Sequence, residues 1–187
     1  MILKNLYYSI IFSLKEFLKF FVMDVLAGQH LKNKLAKRFF LKNLGKDVVL
    51  LRGVRWFHGA NVFISNNVFV NMECYFDDKA KIEIGKGTWL GQYCKFITAT
   101  HDKETMEETA KPIAVGNYCW IGANVTVLPG VKIGDFSVIG GGSVVVKDIP
   151  GYSIAAGNPA VVIKKREVKT PYKVAPGIYV SDFKTLP

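Results

Sequence analysis

From Val115 to Pro150 the chain reads VGNYCWIGANVTVLPGVKIGDFSVIGGGSVVVKDIP, and an aliphatic residue returns at every sixth position: Val115, Ile121, Val127, Ile133, Ile139 and Val145. Four of these six are followed by Gly, and the residue four places on is small or β-branched: Cys119, Val125, Val131, Ser137, Ser143 and Ile149. A helix cannot carry this spacing, because six residues make about 1.67 helical turns and would rotate the aliphatic position around the cylinder. Six residues suit one short flat strand and one sharp corner. Three such units close a triangular coil whose aliphatic residues point inward and stack on their equivalents above and below, so the period predicts stacked supersecondary units. Gly after the aliphatic position is expected where a corner needs positive φ or a close backbone approach.

The repeat extends toward the N-terminus in looser form. Ile64-Ser65, Val70-Asn71 and Phe76-Asp77 keep the period, and after a shift of two residues it resumes at Ile84-Gly85, Leu90-Gly91 and Phe96-Ile97. The slip near residues 79–83 reads as a small insertion at a corner. Between Phe96 and Val115 the period lapses, and residues 102–112, DKETMEETAKP, are polar and charged. This is the signature of a loop extruded from a coil, and such loops often lie on the binding face.

Residues 1–46 follow a different rule. Leu3, Leu6, Tyr7, Ile10, Leu14, Phe17, Leu18, Phe21 and Val25, then Leu31, Leu35 and Phe39, recur at helical spacing, which predicts two amphipathic helices broken near Ala27-Gly28. Nine Lys/Arg against Glu16 and Asp24 put +7 of the chain's +10 in this segment. Its apolar faces either pack on the rest of the protein or a sister subunit, or lie in a membrane interface as a basic amphipathic helix does. Lys15, Glu16 and Lys19 interrupt the apolar run, so neither a cleaved signal peptide nor a transmembrane span is expected. No nucleic-acid-binding module accompanies the basic charge, and nucleic acid is not an expected partner. Cys74, Cys94 and Cys119 are odd in number and lack metal-ligand spacing, which points away from a disulfide framework or a zinc site and toward a reducing cytoplasm. The expected organisation is a basic helical extension (1–46), a β-helix (47–166) with its extruded loop, and a tail (167–187) carrying Pro171, Pro176 and Pro187 but no repeat.

Taken in order, ITATHD (Ile97–Asp102), the extruded loop, Val115–Pro150 and AAGNPAVVIKK (Ala155–Lys165) resemble the hexapeptide-repeat acyltransferases, in particular galactoside and maltose O-acetyltransferases and polysaccharide O-acetyltransferases. The resemblance runs from about Ile64 to Lys165. It implies a mainly β fold, the left-handed parallel β-helix, assembled as a homotrimer. It further implies acetyl transfer from acetyl-CoA to a hydroxyl of a sugar or cell-surface polysaccharide precursor. The first 45 residues look more like the added segment of a polysaccharide-modifying branch, for which peripheral contact with the inner membrane face is an open expectation.

By the same resemblance, His101 in ITATHD is the general base that takes the acceptor's proton, a task suited to imidazole. Asn71 in VNMEC and Asp78 in FDD match acceptor-binding positions; both residue types also cap their own backbone at corners, and the two readings stand side by side. Glu73 replaces the second Asn of the family's Asn-x-Asn, which leaves acceptor identity open. Trp120, Ala123 and Gly141 match the groove that takes the pantetheine arm, while Lys147 and Lys164 match basic positions near the phosphates. Trp120 and Lys147 equally suit outer packing and solvated charge. Val146 stands for a usual Thr and Val161 for an Arg near the adenine end, with Lys165 or Arg166 as substitutes. Asp102 points away from its neighbour His101 on an extended chain and receives no catalytic role. His30 and His58 fall outside the motifs, and no metal is expected. Alternative readings are an N-acyltransferase acting on an amino sugar or antibiotic, and a non-catalytic β-helix scaffold.

Overall fold

The computed structural model describes residues 11–18, 21, 29–168, 172–175 and 178–180. Its body is a left-handed parallel β-helix of about six turns. Three parallel sheets form the faces of the prism. The first stacks Asn43–Leu44, Val62–Ile64, Ile82–Ile84, Ile113–Val115 and Lys132–Ile133. The second stacks Val49–Leu50, Phe69–Val70, Trp89–Leu90, Trp120–Ile121 and Val138–Ile139, and ends on the antiparallel pair Ser153–Gly157 and Ala160–Lys165. The third stacks Arg55–Trp56, Tyr75–Asp77, Lys95–Ile97, Thr126–Val127 and Val144–Val145.

Inside, each face contributes a buried column of large residues, with a second buried position two residues earlier held by small or β-branched ones such as Val68, Cys119, Val125 and Ser137. Leu44, Ile64, Ile84, Val115 and Ile133 line the first, Leu50, Val70, Leu90, Ile121 and Ile139 the second, and Trp56, Phe76, Phe96, Val127 and Val145 the third. The third column changes along the coil from Trp56, Phe76 and Phe96 to Val127 and Val145, and Phe76 and Phe96 stack with centroids 5.1 Å apart.

The first coil begins at Asn43, inside the segment expected to be helical, and its Leu44, Leu50 and Trp56 already keep the six-residue period. All length variation falls on one edge. The edges joining the first face to the second and the second to the third hold the same span throughout. From the third face back to the first, eight residues separate Trp56 from Ile64 and Phe76 from Ile84, nineteen separate Phe96 from Val115, and six separate Val127 from Ile133. The slip expected at residues 79–83 is one of these variable third corners.

Glycine after the aliphatic position serves close approach, not positive φ. A Cβ on Gly122 would lie 2.5 Å from the backbone nitrogen of Gly141 in the next coil. The left-handed residue comes two places later; glycine fills it at Gly53, Gly87, Gly130 and Gly142, and other side chains fill it at Glu73 with φ 57°, Tyr93 with 62°, Tyr118 with 55°, Asn124 with 55° and Phe136 with 59°. Their amides donate to the coil before, as Phe136 N–H does to Asn117 O at 2.8 Å, and this ladder offsets the conformational cost.

N-terminal to the coil, residues 11–18 and Gln29–Phe39 are helical; the break expected near Ala27-Gly28 lies outside the described residues. Residues 172–175 and 178–180 form an antiparallel pair in the tail. No helix among the described residues is long and apolar enough to cross a membrane.

The two corner positions separate by substitution. Gly122→Ala is expected to lower stability by about 1–3 kcal/mol or more, as overpacking does. Asn124→Gly, which relieves a left-handed residue, should stay within about 0.5 kcal/mol of the parent. Urea midpoints of the two variants check this, and equal midpoints would refute the close-approach account.

Candidate functional site

The long third corner builds a braced arm. Thr98 is buried; its hydroxyl donates to the carbonyl of Asp77 and accepts the Ala80 amide at 2.9 Å, fixing the base of the excursion to the preceding coil. The Asp77 carboxylate adds a weak bond from Ala99 N–H at 3.4 Å. From there Ala99–His101 pairs antiparallel with Glu108–Ala110, so the loop expected over residues 102–112 is a β-hairpin that leaves the coil at Ala99. At its tip the Asp102 carboxylate accepts the amides of Glu104 and Thr105, each at 2.9 Å, and these bonds hold it below the usual carboxylate range. Asp102 therefore shapes the turn.

His101 is exposed and stands at the last paired position of the outgoing strand, opposite Glu108. Cross-strand partners project to the same side of a hairpin. The Glu108 carboxylate pairs with the Lys79 ammonium, which lowers its proton affinity, with the field of His101 a smaller contribution. A charged carboxylate therefore stands across the hairpin from the imidazole. Neither Glu108 nor Lys79 stood out in the sequence: one sits in an acidic loop, the other at the slip between repeats. Only their register across 29 residues joins them.

Asp78 has another duty. It is fully buried, and its carboxylate accepts the amides of His58 at 2.7 Å, Gly59 at 2.8 Å and Asn61 at 3.1 Å. Three backbone amides of the third corner of the coil before thus engage this carboxylate, which favours the corner-capping reading over direct acceptor contact. Asn71 remains half-exposed, its Oδ1 accepting the Met72 amide at 2.8 Å and its Nδ2 donating to Gln92 at 3.4 Å.

The remaining expected residues divide between two edges. Ala123 and Gly141 are successive residues of the second corner, where Gly142 N–H donates to Ala123 O at 2.8 Å, and Asn71 lies on the same edge two coils earlier. Trp120 projects outward from the second face, 53% exposed, in one row with Val138, Ile154 and Lys164. That row places Lys164 three strands, or about 14 Å, from Trp120. Lys147 follows the third face at the third corner, on the edge of the hairpin. With roughly five residues per face at ~3.3 Å each, the two edges are about 15 Å apart. A single chain does not bring His101 against Ala123 and Gly141. Arg166, an expected substitute for the missing arginine, instead donates to the carbonyls of Phe136 at 2.8 Å and Tyr118 at 3.4 Å.

The cysteines are buried and free, and burial pushes the Cys119 thiol up to about 11, so it offers no thiolate nucleophile at neutral pH. Among the described residues no group of three His, Cys, Asp or Glu side chains is arranged to hold a metal ion.

Residues 112–147 match the family model described as bacterial transferase hexapeptide (six repeats). A maltose O-acetyltransferase from Clostridium difficile 630 superposes with a TM-score of 0.74 at 34% identity, covering 82% of this chain and 84% of that one. The chain belongs to the hexapeptide-repeat acetyltransferase family. A galactoside acetyltransferase in complex with coenzyme A gives a TM-score of 0.76 at 30% identity, covering 81% and 78%. A Staphylococcus aureus (strain MRSA252) protein, named only provisionally as an acetyltransferase, is 47% identical over 119 residues. That match takes in 61% of this chain and spans 60% of the relative's length.

The buried role of Asp78 has a direct consequence within this family fold. Asp78→Ala strands three backbone donors and is expected to cost at least about 3 kcal/mol. Thermal unfolding of the variant reads this. A variant as stable as the parent would return Asp78 to the role of a ligand contact.

Proposed function

We propose that the protein transfers acetyl from acetyl-CoA to a hydroxyl of a sugar, with His101 as general base. The observation that carries the reading is the placement of an exposed imidazole on a braced hairpin beside the Glu108–Lys79 pair. Similarity to a maltose O-acetyltransferase and to a coenzyme A complex of a galactoside acetyltransferase supports the choice of donor and acceptor class.

A thioester needs little help to lose its leaving group, whereas a hydroxyl must shed its proton as it attacks. His101 takes that proton while the oxygen bonds to the thioester carbonyl carbon. Glu108, anchored by Lys79, stabilises the imidazolium that results. Backbone N–H groups stabilise the tetrahedral oxyanion. Collapse breaks the carbon–sulfur bond, and the imidazolium returns its proton to the departing thiolate. The products are the acetyl ester and free CoA.

The groove for CoA is assigned to Trp120, Ala123, Gly141 and Lys164 of one subunit, and the base to the hairpin of the next, with Lys147 beside it. The half-exposed apolar row Phe69, Trp89, Val138 and Ile154 flanking Trp120 supports a subunit contact along the second face, as a homotrimer requires. Asn71, at the same edge as Ala123, is assigned to the acceptor.

His101→Ala is expected to slow CoA release in the presence of a sugar acceptor by about 10²- to 10⁴-fold while leaving acetyl-CoA affinity unchanged in calorimetry. Co-expression of His101→Ala with Ala123→Trp, each inactive alone, should recover part of the activity through mixed oligomers. A His101→Ala enzyme of normal rate would overturn the assigned chemistry, and failure of the mixed enzyme would overturn the shared site.

A further inference from the structure

The segment before the coil leaves large apolar side chains outside. Phe12 is 64% exposed, Leu14 and Phe17 62% each, Phe39 54% and Leu31 48%. The same segment carries Lys15, Lys34, Lys37, Arg38 and Lys42, with Glu16 the one acidic side chain described in it. Between residues 11–18 and the first coil lies a concavity of about 430 Å³, walled by Phe12, Leu18, Phe39, Phe40 and Phe57.

This patch is tied to the hairpin. Phe57, on the third corner of the first coil, lies under the Lys79 ammonium at 5.6 Å from its ring centroid, and Lys79 is the cation that anchors Glu108 opposite His101. Exposed aromatics with interspersed lysines therefore adjoin the arm bearing the base.

We infer that the helices of residues 11–18 and Gln29–Phe39 seat the protein on an anionic lipid surface. Charge complementarity selects this occupant. A second copy would bring an equally cationic segment against the first, whereas lipid phosphates neutralise it and the acyl boundary accepts Phe12, Leu14 and Phe17. The contact is interfacial: the apolar side chains enter the acyl boundary while the lysines stay at the phosphates. The inference rests on the proposed acetyl transfer only in its consequence: an acceptor held at that surface by a lipid tail would present its sugar to the His101 hairpin.

The test uses the full chain with vesicles of phosphatidylcholine alone or with phosphatidylglycerol. The parent should co-sediment with the anionic vesicles and be released by salt. Phe12→Ser/Phe17→Ser and Lys34→Glu/Lys37→Glu should each weaken binding roughly ten-fold or more. Neither pair is among the residues assigned to the groove, so acetyl-CoA affinity should remain that of the parent and report an intact fold. Absence of sedimentation with anionic vesicles, or binding unchanged in both variants, would overturn the inference. So would a parent that fails to sediment but self-associates until Phe12 and Phe17 are replaced. Vesicle binding is scored without turnover, so its failure is distinct from failure of the acetyl-transfer reading.

Discussion

Neighbouring strands of a parallel ladder lie about 4.8 Å apart, and every coil must climb by that rise while its backbone meets the coil above. Little room remains between successive corners, which is why Gly122 lacks a side chain where Gly141 passes over it. Each short face turns one large aliphatic or aromatic residue and one smaller residue inward per coil, and with its corner this makes the six-residue period. Two of the three edges obey without exception. The third is where the coil can gain residues without disturbing the stacked columns on either side.

That freedom explains where function collects. Extra residues on the third edge produce the corner at residues 57–61, the slip that carries Asp78 and Lys79, and the hairpin at Ala99–Ala110. Each excursion is tied to its neighbour: Asp78 holds the first through three amides, while Thr98 joins the hairpin base to the second. The edge between the second and third faces has the opposite property, a constant span with small residues at Ala123 and Gly141 in successive coils.

The sequence was most readable where the geometry was strictest. Ile121, Ile133 and Ile139, each followed by Gly, announce the period because aliphatic stacking and close approach act together there. The first coil was hidden since Leu50 and Trp56 are followed by Leu51 and Phe57, residues that suit a helix as well as a strand, and a basic helical pattern precedes them. Left-handed corners were mislocated because their cost is met by backbone bonds, which permits Tyr118 and Phe136 where other coils have Gly87, Gly130 and Gly142, so glycine does not mark the position consistently. His101 was singled out by its motif, and the structure places it exposed on the hairpin. Glu108 was not, because its meaning lies in a hairpin register that local composition does not encode. Asp78 was noticed for the right residue type but could not be assigned, since an accepting carboxylate looks the same whether its donors are sugar hydroxyls or buried amides.

The position of Lys79 shows how the two structural regimes meet. A lysine on an open surface contributes little by pairing with a nearby glutamate, because water screens the charges and both side chains lose freedom. Lys79 is more constrained: one side faces the Phe57 ring, and its base is the corner that Asp78 organises. The side chain is already confined before it meets Glu108, so less entropy is lost in forming the pair. Glu108 is held from outside the hairpin as well as across it, which makes the orientation of the His101 strand depend on the coil beneath. A flexible arm with the same histidine would sample many directions; one fixed at Thr98 and at Glu108 has two attachment points at opposite ends of the paired segment. Precision at the exposed imidazole thus originates in the buried corner two coils from the start of the helix.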